Sequence, residues 1–313
     1  MEFEKRVVPE LRAGLSILEP FRLPEDLMQI RAIHPQAVQQ PQAVEIVYLQ
    51  IHGVHGNELQ LRLYKPRSAD TRKRPTLLWI HGGGLILGSP EADDQLCIDF
   101  VSAADCIVVS PNYRLAPEFP YPAGLEDCYS TLQWISASTE VWGMDCHRIA
   151  VGGASAGGGL AAALTLLARD RHGPGIMFQM LLYPMLDHRN VTPSSYEITH
   201  PSVWNRANNL EAWRMYLGQE LTEGVPIYAS PGLATDLTDL PAAYICVGEL
   251  DLFRDETLDY VTRLARAGVE VEFHLYPGCY HASEHVVPEA DISQRIRSEY
   301  IQGLVRAYRK PDI

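Results

Sequence analysis

Gly153-Ala154-Ser155-Ala156-Gly157 sets a serine between two glycines at a spacing that suits nucleophilic chemistry. The apolar run RIAVGG (148–153) precedes it and reads as a strand; the Ala- and Leu-rich run 156–169 follows and reads as a helix. A sharp strand-to-helix turn holds such a serine at strained backbone angles. It also brings together the residues two before and two after it, which is why both must be glycine. The turn lifts Oγ clear of the sheet and aims the next amide, that of Ala156 at a helix N-terminus, at the oxyanion that an attacked carbonyl becomes. The chemistry this serves is acyl transfer. A second motif, His81-Gly82-Gly83-Gly84, follows the strand-like TLLWI (76–80). Its glycines let the chain bend the amides of Gly83 and Gly84 toward the same point as Ala156, each donor being worth about 2.7 to 4 kcal/mol of barrier. His81 itself reads as structural, its ring pinning the loop.

Gly157 to Ala162 also fits the GxGxxA pattern of a dinucleotide loop. Those glycines would lie inside the helix, and no acidic residue ends a strand about twenty positions on. No Gly-Lys-Ser/Thr follows, so a phosphate loop is excluded.

A serine nucleophile needs a base, and the base needs an acid. With a nucleophile elbow these follow in the chain order serine, acid, histidine. The strand-like AYICVG (243–248) runs into Glu249-Leu250-Asp251, and VEFHLY (271–276) runs into Pro277-Gly278-Cys279-Tyr280-His281, so both candidates leave strand carboxyl ends. Asp251 is the better acid, because Asp255 and Glu256 fall in the first turn of a helix, where the dipole accounts for them. His281 is the favoured base; His274 lies within a strand, and His285 is the fallback. His52 and His55 stand in a turn with no third ligand nearby, so no metal site is expected.

The positioning elements follow from hydrophobic patterning. VEIVYLQI and LQLRLY, from Val44 onward, flank the turn-rich HGVHGNE and suggest an antiparallel hairpin. Beyond it, the short apolar runs 76–80, 106–110, 148–153, 178–184, 243–248 and 271–276 alternate with helical patterns, clearest at Ala123–Ala137, Ala156–Arg169 and Arg254–Ala267, the last with Gly268 as a stop. Alternation of this kind means a mostly parallel sheet covered on both faces. The first 41 residues, broken by Pro9, Pro20, Pro24, Pro35 and Pro41, permit only short helices. A second irregular stretch, from His188 to about Val225 with a helix at Arg206–Leu217, follows a strand's carboxyl end and reads as part of a lid. The expected division is 1–43 (N-terminal cap segment), 44–187 (first part of the core), 188–225 (cap insertion) and 226–313 (second part of the core).

The formal net charge of −13 leaves no general basic surface for nucleic acid or anionic membrane and points to a small neutral or cationic partner. Six scattered cysteines without a CxxC pair read as buried thiols of a reducing compartment. With no signal-like or membrane-spanning run, a cytoplasmic location is expected.

The motifs HGGG (81–84), Tyr113-Arg114-Leu115-Ala116-Pro117-Glu118, GASAGG (153–158), Leu250–Glu256 and Tyr276–His281, in this order, resemble those of the hormone-sensitive-lipase-like esterases of the α/β-hydrolase superfamily. The resemblance runs from about Leu59 to the end. It implies an eight-stranded sheet, a cap built from the N-terminal segment and an insertion after the sixth strand, and hydrolysis of short or medium acyl esters with no cofactor. It further implies Ser155, Asp251 and His281 as catalytic residues, Gly83, Gly84 and Ala156 as the oxyanion hole, a structural role for the Tyr113–Glu118 motif, and a possible homodimer. Leu85, Trp204 and Leu252 are expected to line the substrate pocket. Three departures from the family pattern stand out: Ala154 replaces Asp or Thr, Leu85 replaces an aromatic and should open room, and Ala282-Ser283 replaces Gly-Phe after the base. Hydrolysis of amides, carbamates or lactones would use the same machinery. A non-catalytic receptor, like the plant gibberellin receptors, would lack the histidine that this chain keeps.

Overall fold

In the computed structural model, which describes residues 3–33, 42–54, 56–68, 70–218 and 223–310, eight strands form one sheet: β1 (Val44–His52), β2 (Glu58–Pro66), β3 (Arg74–Ile80), β4 (Ile107–Pro111), β5 (Met144–Ala154), β6 (Phe178–Leu182), β7 (Ala242–Leu250) and β8 (Val271–Tyr280). Their order is β1-β2-β4-β3-β5-β6-β7-β8. β1 pairs with β2 and β2 with β4 antiparallel; every later neighbour is parallel. The expected hairpin is present, with Val44 opposite Pro66 and His52 opposite Glu58. β3, β4 and β6 are buried along their whole length, as continuous apolar runs covered on both faces must be.

The main helices are α1 (Asp94–Ala104), α2 (Ala123–Ala137), α3 (Ala156–Asp170), α4 (Arg206–Leu217), α5 (Arg254–Arg266) and α6 (Asp291–Arg309). α3 is buried from Ala156 through Ala168, which fits its small and apolar side chains. α5 is amphipathic, burying Glu256, Thr257, Tyr260 and Leu264 on one face. Asn205 caps α4, its side chain accepting from the Asn208 amide.

The N-terminal segment forms only short helices, among them Arg12–Ile17 and Leu27–Arg31. It is anchored beside the end of β8, where the Val8 amide donates to Gly278 O at 3.1 Å and Tyr280 Oη donates to Leu11 O at 3.3 Å. It also meets the segment after β6. The Leu23 amide donates to Asn208 Oδ1, Asn208 Nδ2 donates to Phe21 O, both at 3.1 Å, and Phe3 stacks on His200 at 5.0 Å. Two stretches about 190 residues apart in sequence thus pack together. Residues 34–41 and 219–222 of these stretches, with Pro35 and Pro41, lie outside the described residues, as does His55. Among the described residues, no helix is long and apolar enough to cross a membrane. Five of the six free cysteines are buried; Cys146, near the start of β5, is a correction, being only half-buried.

Candidate active site

Parallel pairing brings the carboxyl ends of β3, β5, β6, β7 and β8 to one edge, and the sequence-predicted groups leave those ends. Ser155 stands between β5 and α3 at φ 57°, ψ −120°, a region that costs a side chain about 1 to 3 kcal/mol and persists only where the surroundings over-determine it. They do so here. The Ser155 amide donates to Leu182 O at 2.8 Å, and its carbonyl accepts from Gly159 and Met185, both at 3.0 Å. The flanking glycines are a packing necessity: a Cβ on Gly157 would lie 2.0 Å from Ile80 O, and one on Gly153 would lie 2.4 Å from Gly157 C.

His281 follows β8 directly. Its Nδ1 lies 2.8 Å from Asp251 Oδ2, and its Nε2 lies 2.9 Å from Ser155 Oγ. A carboxylate only accepts, so Nδ1 carries the proton and the Nε2 lone pair is left to accept from the serine hydroxyl. The imidazole is held edge-to-face by Tyr183 at 5.0 Å and Phe253 at 5.2 Å. Asp251, just past β7, is fully buried, and its second oxygen accepts from the Phe253 amide at 2.9 Å. Both carboxylate oxygens are therefore engaged, which fixes the plane against which the imidazole is aligned.

The loop after β3 supplies the glycine amides. His81 is buried, its Nδ1 lies 2.8 Å from Gly82 O, and its ring stacks on Tyr113 at 4.2 Å. Burial lowers the His81 pKa, so the ring is neutral at pH 7. Tyr113 Oη donates to His81 O at 3.0 Å, the Ala116 amide donates to Leu85 O at 3.0 Å, and Arg114 grips Asp127 with two bonds of 2.9 Å. The Tyr113–Glu118 motif is a buttress under the glycine loop. Among the described residues, the amides of Gly83, Gly84 and Ala156 have no protein acceptor.

These groups open onto a cavity of about 420 Å³ that Trp204, Phe21, Tyr183, Asp93 and His285 also line. Trp204, expected in the substrate pocket, is one of the residues of this cavity's wall. Leu85 and Leu252 do not line this cavity: Leu85 turns inward at φ 68° and is buried, and Leu252 is fully buried, its carbonyl accepting from Ser194 Oγ at 2.8 Å. The room expected from Leu85 is therefore not at the cavity wall. His285 is in the cavity, but its Nε2 faces Glu284 Oε1 at 3.6 Å, while His281 makes the bond to Ser155. His274 lies on β8 with its Nε2 2.9 Å from Glu272.

The carboxylates set aside as helix-dipole residues do more than that. Asp255 accepts from the Ser194 amide at 2.7 Å. Burial raises its pKa, but its bonds to Arg254 and Ser194 outweigh burial and hold it below the usual range. Glu256 is buried and accepts from the Leu186 amide at 2.6 Å and the Asp187 amide at 3.3 Å. Burial raises its pKa well above the ordinary value. It ties α5 to the chain just after β6, next to Met185, which bonds Ser155. Sequence reading missed Tyr183 and Phe21. Tyr183 could have been found, since it follows β6 at the same edge; Phe21 carries no local signal.

The chain matches the family model described as alpha/beta hydrolase fold over residues 77–285. It is 38% identical over 243 residues to esterase LipI of Mycobacterium tuberculosis, covering 77% of this chain and 73% of that protein. It is 38% identical over 223 residues to carboxylesterase NlhH of the same species, covering 69% of each. Among solved structures, a bacterial heroin esterase superposes with a TM-score of 0.93 at 37% identity, covering 99% of this chain and 100% of that one. Esterase LipW from Mycobacterium marinum gives 0.88 at 32% identity, covering 98% of each.

Proposed function

Because this chain belongs to the α/β-hydrolase family, as a hormone-sensitive-lipase-like member, and is a carboxylic-ester hydrolase, we propose that it cleaves short- to medium-chain acyl esters through an acyl-enzyme on Ser155. The observation that carries this reading is the unbroken chain of hydrogen bonds from Ser155 Oγ through His281 to Asp251, at 2.9 and 2.8 Å. His281 Nε2 takes the hydroxyl proton as Oγ attacks the ester carbonyl. The oxyanion of the tetrahedral intermediate accepts from the amides of Gly83, Gly84 and Ala156. Collapse expels the alcohol, protonated by His281, and leaves the acyl group on Ser155. Water, deprotonated by the same nitrogen, then releases the acid. Asp251 keeps the productive tautomer and stabilises the imidazolium.

The N-terminal segment and the stretch after β6 act together as a cap over the site, Phe21 and Trp204 being its contributions to the cavity wall. The cavity's size favours acyl chains of about two to six carbons. The free thiols fit a cytoplasmic setting, and β8 and α6 offer an edge for a homodimer. Hydrolysis of p-nitrophenyl acetate and butyrate, with loss in Ser155→Ala, tests the reading; full activity in Ser155→Ala overturns it.

A further inference from the structure

The walls of the catalytic cavity are mostly apolar and aromatic, yet Asp93 lines them, at the end of the short helix Pro90–Asp93 beyond the glycine loop. Asp93 is partly exposed, and its Oδ2 accepts from the indole Nε1 of buried Trp79 at 2.8 Å. Among the described residues, no donor reaches its Oδ1 and no cation pairs with it. The neighbouring cations are committed. Arg62 makes two bonds to Asp94, of 2.7 and 2.6 Å, and lies 3.5 Å from Glu91. Arg31 is bound to Glu118 at 2.7 Å and donates to the carbonyls of Ile86 and Ala116. His81, beside it in the cavity, is kept neutral by burial.

The indole of Trp79 requires an acceptor, but an asparagine oxygen would serve as well. A carboxylate adds a full negative charge to a cavity that no lysine or arginine lines. Phe21 and Trp204, ring centroids 6.3 Å apart, line the same cavity, with Tyr183 beside His281. A carboxylate with one free oxygen, aromatic faces and no competing lysine or arginine are the elements that bind an ammonium group. The chain's net charge of −13 attracts such ligands from a distance.

We propose that Asp93 is a substrate-specificity residue and that the preferred substrates are esters carrying a positively charged amine or ammonium group, which Asp93 binds while Ser155 attacks the carbonyl. This rests on the esterase reading above and narrows it. Two matched pairs of probes test it: acetylcholine against its neutral carbon isostere 3,3-dimethylbutyl acetate as substrates, and choline against 3,3-dimethyl-1-butanol as competitive inhibitors of p-nitrophenyl acetate hydrolysis. The wild type prefers the cationic member of each pair by about tenfold or more, as expected of a desolvated charge pair. Asp93→Asn, which keeps an acceptor for Trp79, abolishes the preference, and Asp93→Glu keeps part of it. Equal preference in wild type and Asp93→Asn overturns the proposal. So does a wild type without cation preference, which decides the matter even where Asp93→Asn does not fold. Calorimetric binding of choline and its isostere to Ser155→Ala separates the two readings. Selective binding of choline with no esterase activity in the wild type defeats the serine mechanism and leaves Asp93; equal binding alongside normal wild-type turnover does the reverse.

Discussion

Trp204 packs so closely on Gly84 that a Cβ at position 84 would lie 2.4 Å from its Cη2, so the segment after β6 and the glycine loop after β3 share one surface. The indole is fixed there by its own bond, Nε1 donating to Asn209 Oδ1 at 2.9 Å. The glycine loop after β3 is therefore contacted by the segment after β6 as well as by Tyr113, which bonds the His81 carbonyl and stacks on its ring. Gly84 also sits at φ 60°, where a side chain is strained. Gly84→Ala is expected to lower kcat/KM for p-nitrophenyl acetate by about a hundredfold, the loss of one well-placed donor. Adding Trp204→Ala recovers part of it, because the steric term is removed while the strain remains.

Trp204→Ala alone removes the largest ring in the cavity wall. The expected outcome is a shift of the acyl-length optimum toward longer chains in a series of p-nitrophenyl esters, with acetate losing most. An unchanged optimum would place the acyl group elsewhere.

The buried carboxylate of Asp251 sets the tautomer of His281. Asp251→Asn presents an amide whose NH2 can only face Nδ1 by reversing that tautomer, and kcat should fall by about 10⁴ while KM changes little. Steady-state kinetics on both proteins check this, with a thermal melt to confirm folding.

His281 and His285 both face the cavity, but only His281 bonds Ser155. His281→Ala should lose about a thousandfold or more in kcat, and His285→Ala less than about tenfold. Comparable losses would mean that the two histidines share the proton transfer.

Glu256 yields a pH prediction. Its folded pKa is raised well above 4.5, so between 4.5 and that raised value the unfolded chain releases a proton that the fold retains. Its contribution is complete below pH 4.5 and diminishes as pH rises toward the folded value. Glu256→Gln keeps an acceptor for Leu186 and does not ionise. Its stability relative to wild type should therefore improve by about 1.4 kcal/mol per pH unit across that window, read by urea unfolding at several pH values. A difference independent of pH would mean that Glu256 is ionised in the fold.

What was legible in the sequence depended on local necessity. Gly153 and Gly157 are dictated by contacts under 2.5 Å, and such constraints leave a readable string; Asp251 and His281 were found because parallel strands deliver their carboxyl ends to one edge. The helices Ala123–Ala137 and Arg206–Leu217 matched their patterns to the residue. The cavity wall was not legible in this way. Phe21 reaches it through the packing of the N-terminal segment on Asn208, and Leu252 leaves it because the turn after Asp251 drives its side chain inward. Glu256 looked like an ordinary first-turn acid, since the amides it accepts from lie about 70 residues earlier. Long-range contacts of this kind leave no periodic trace.

The most direct test of the account is to identify the acylated residue. The enzyme is mixed with excess p-nitrophenyl butyrate, quenched in acid within the first turnovers, digested and mapped by mass spectrometry. The account predicts a butyryl group on Ser155 alone, in the wild type and in the slower Asp251→Asn protein. A butyryl group on another residue that turns over with substrate, or catalysis with no covalent adduct in either protein, would contradict it.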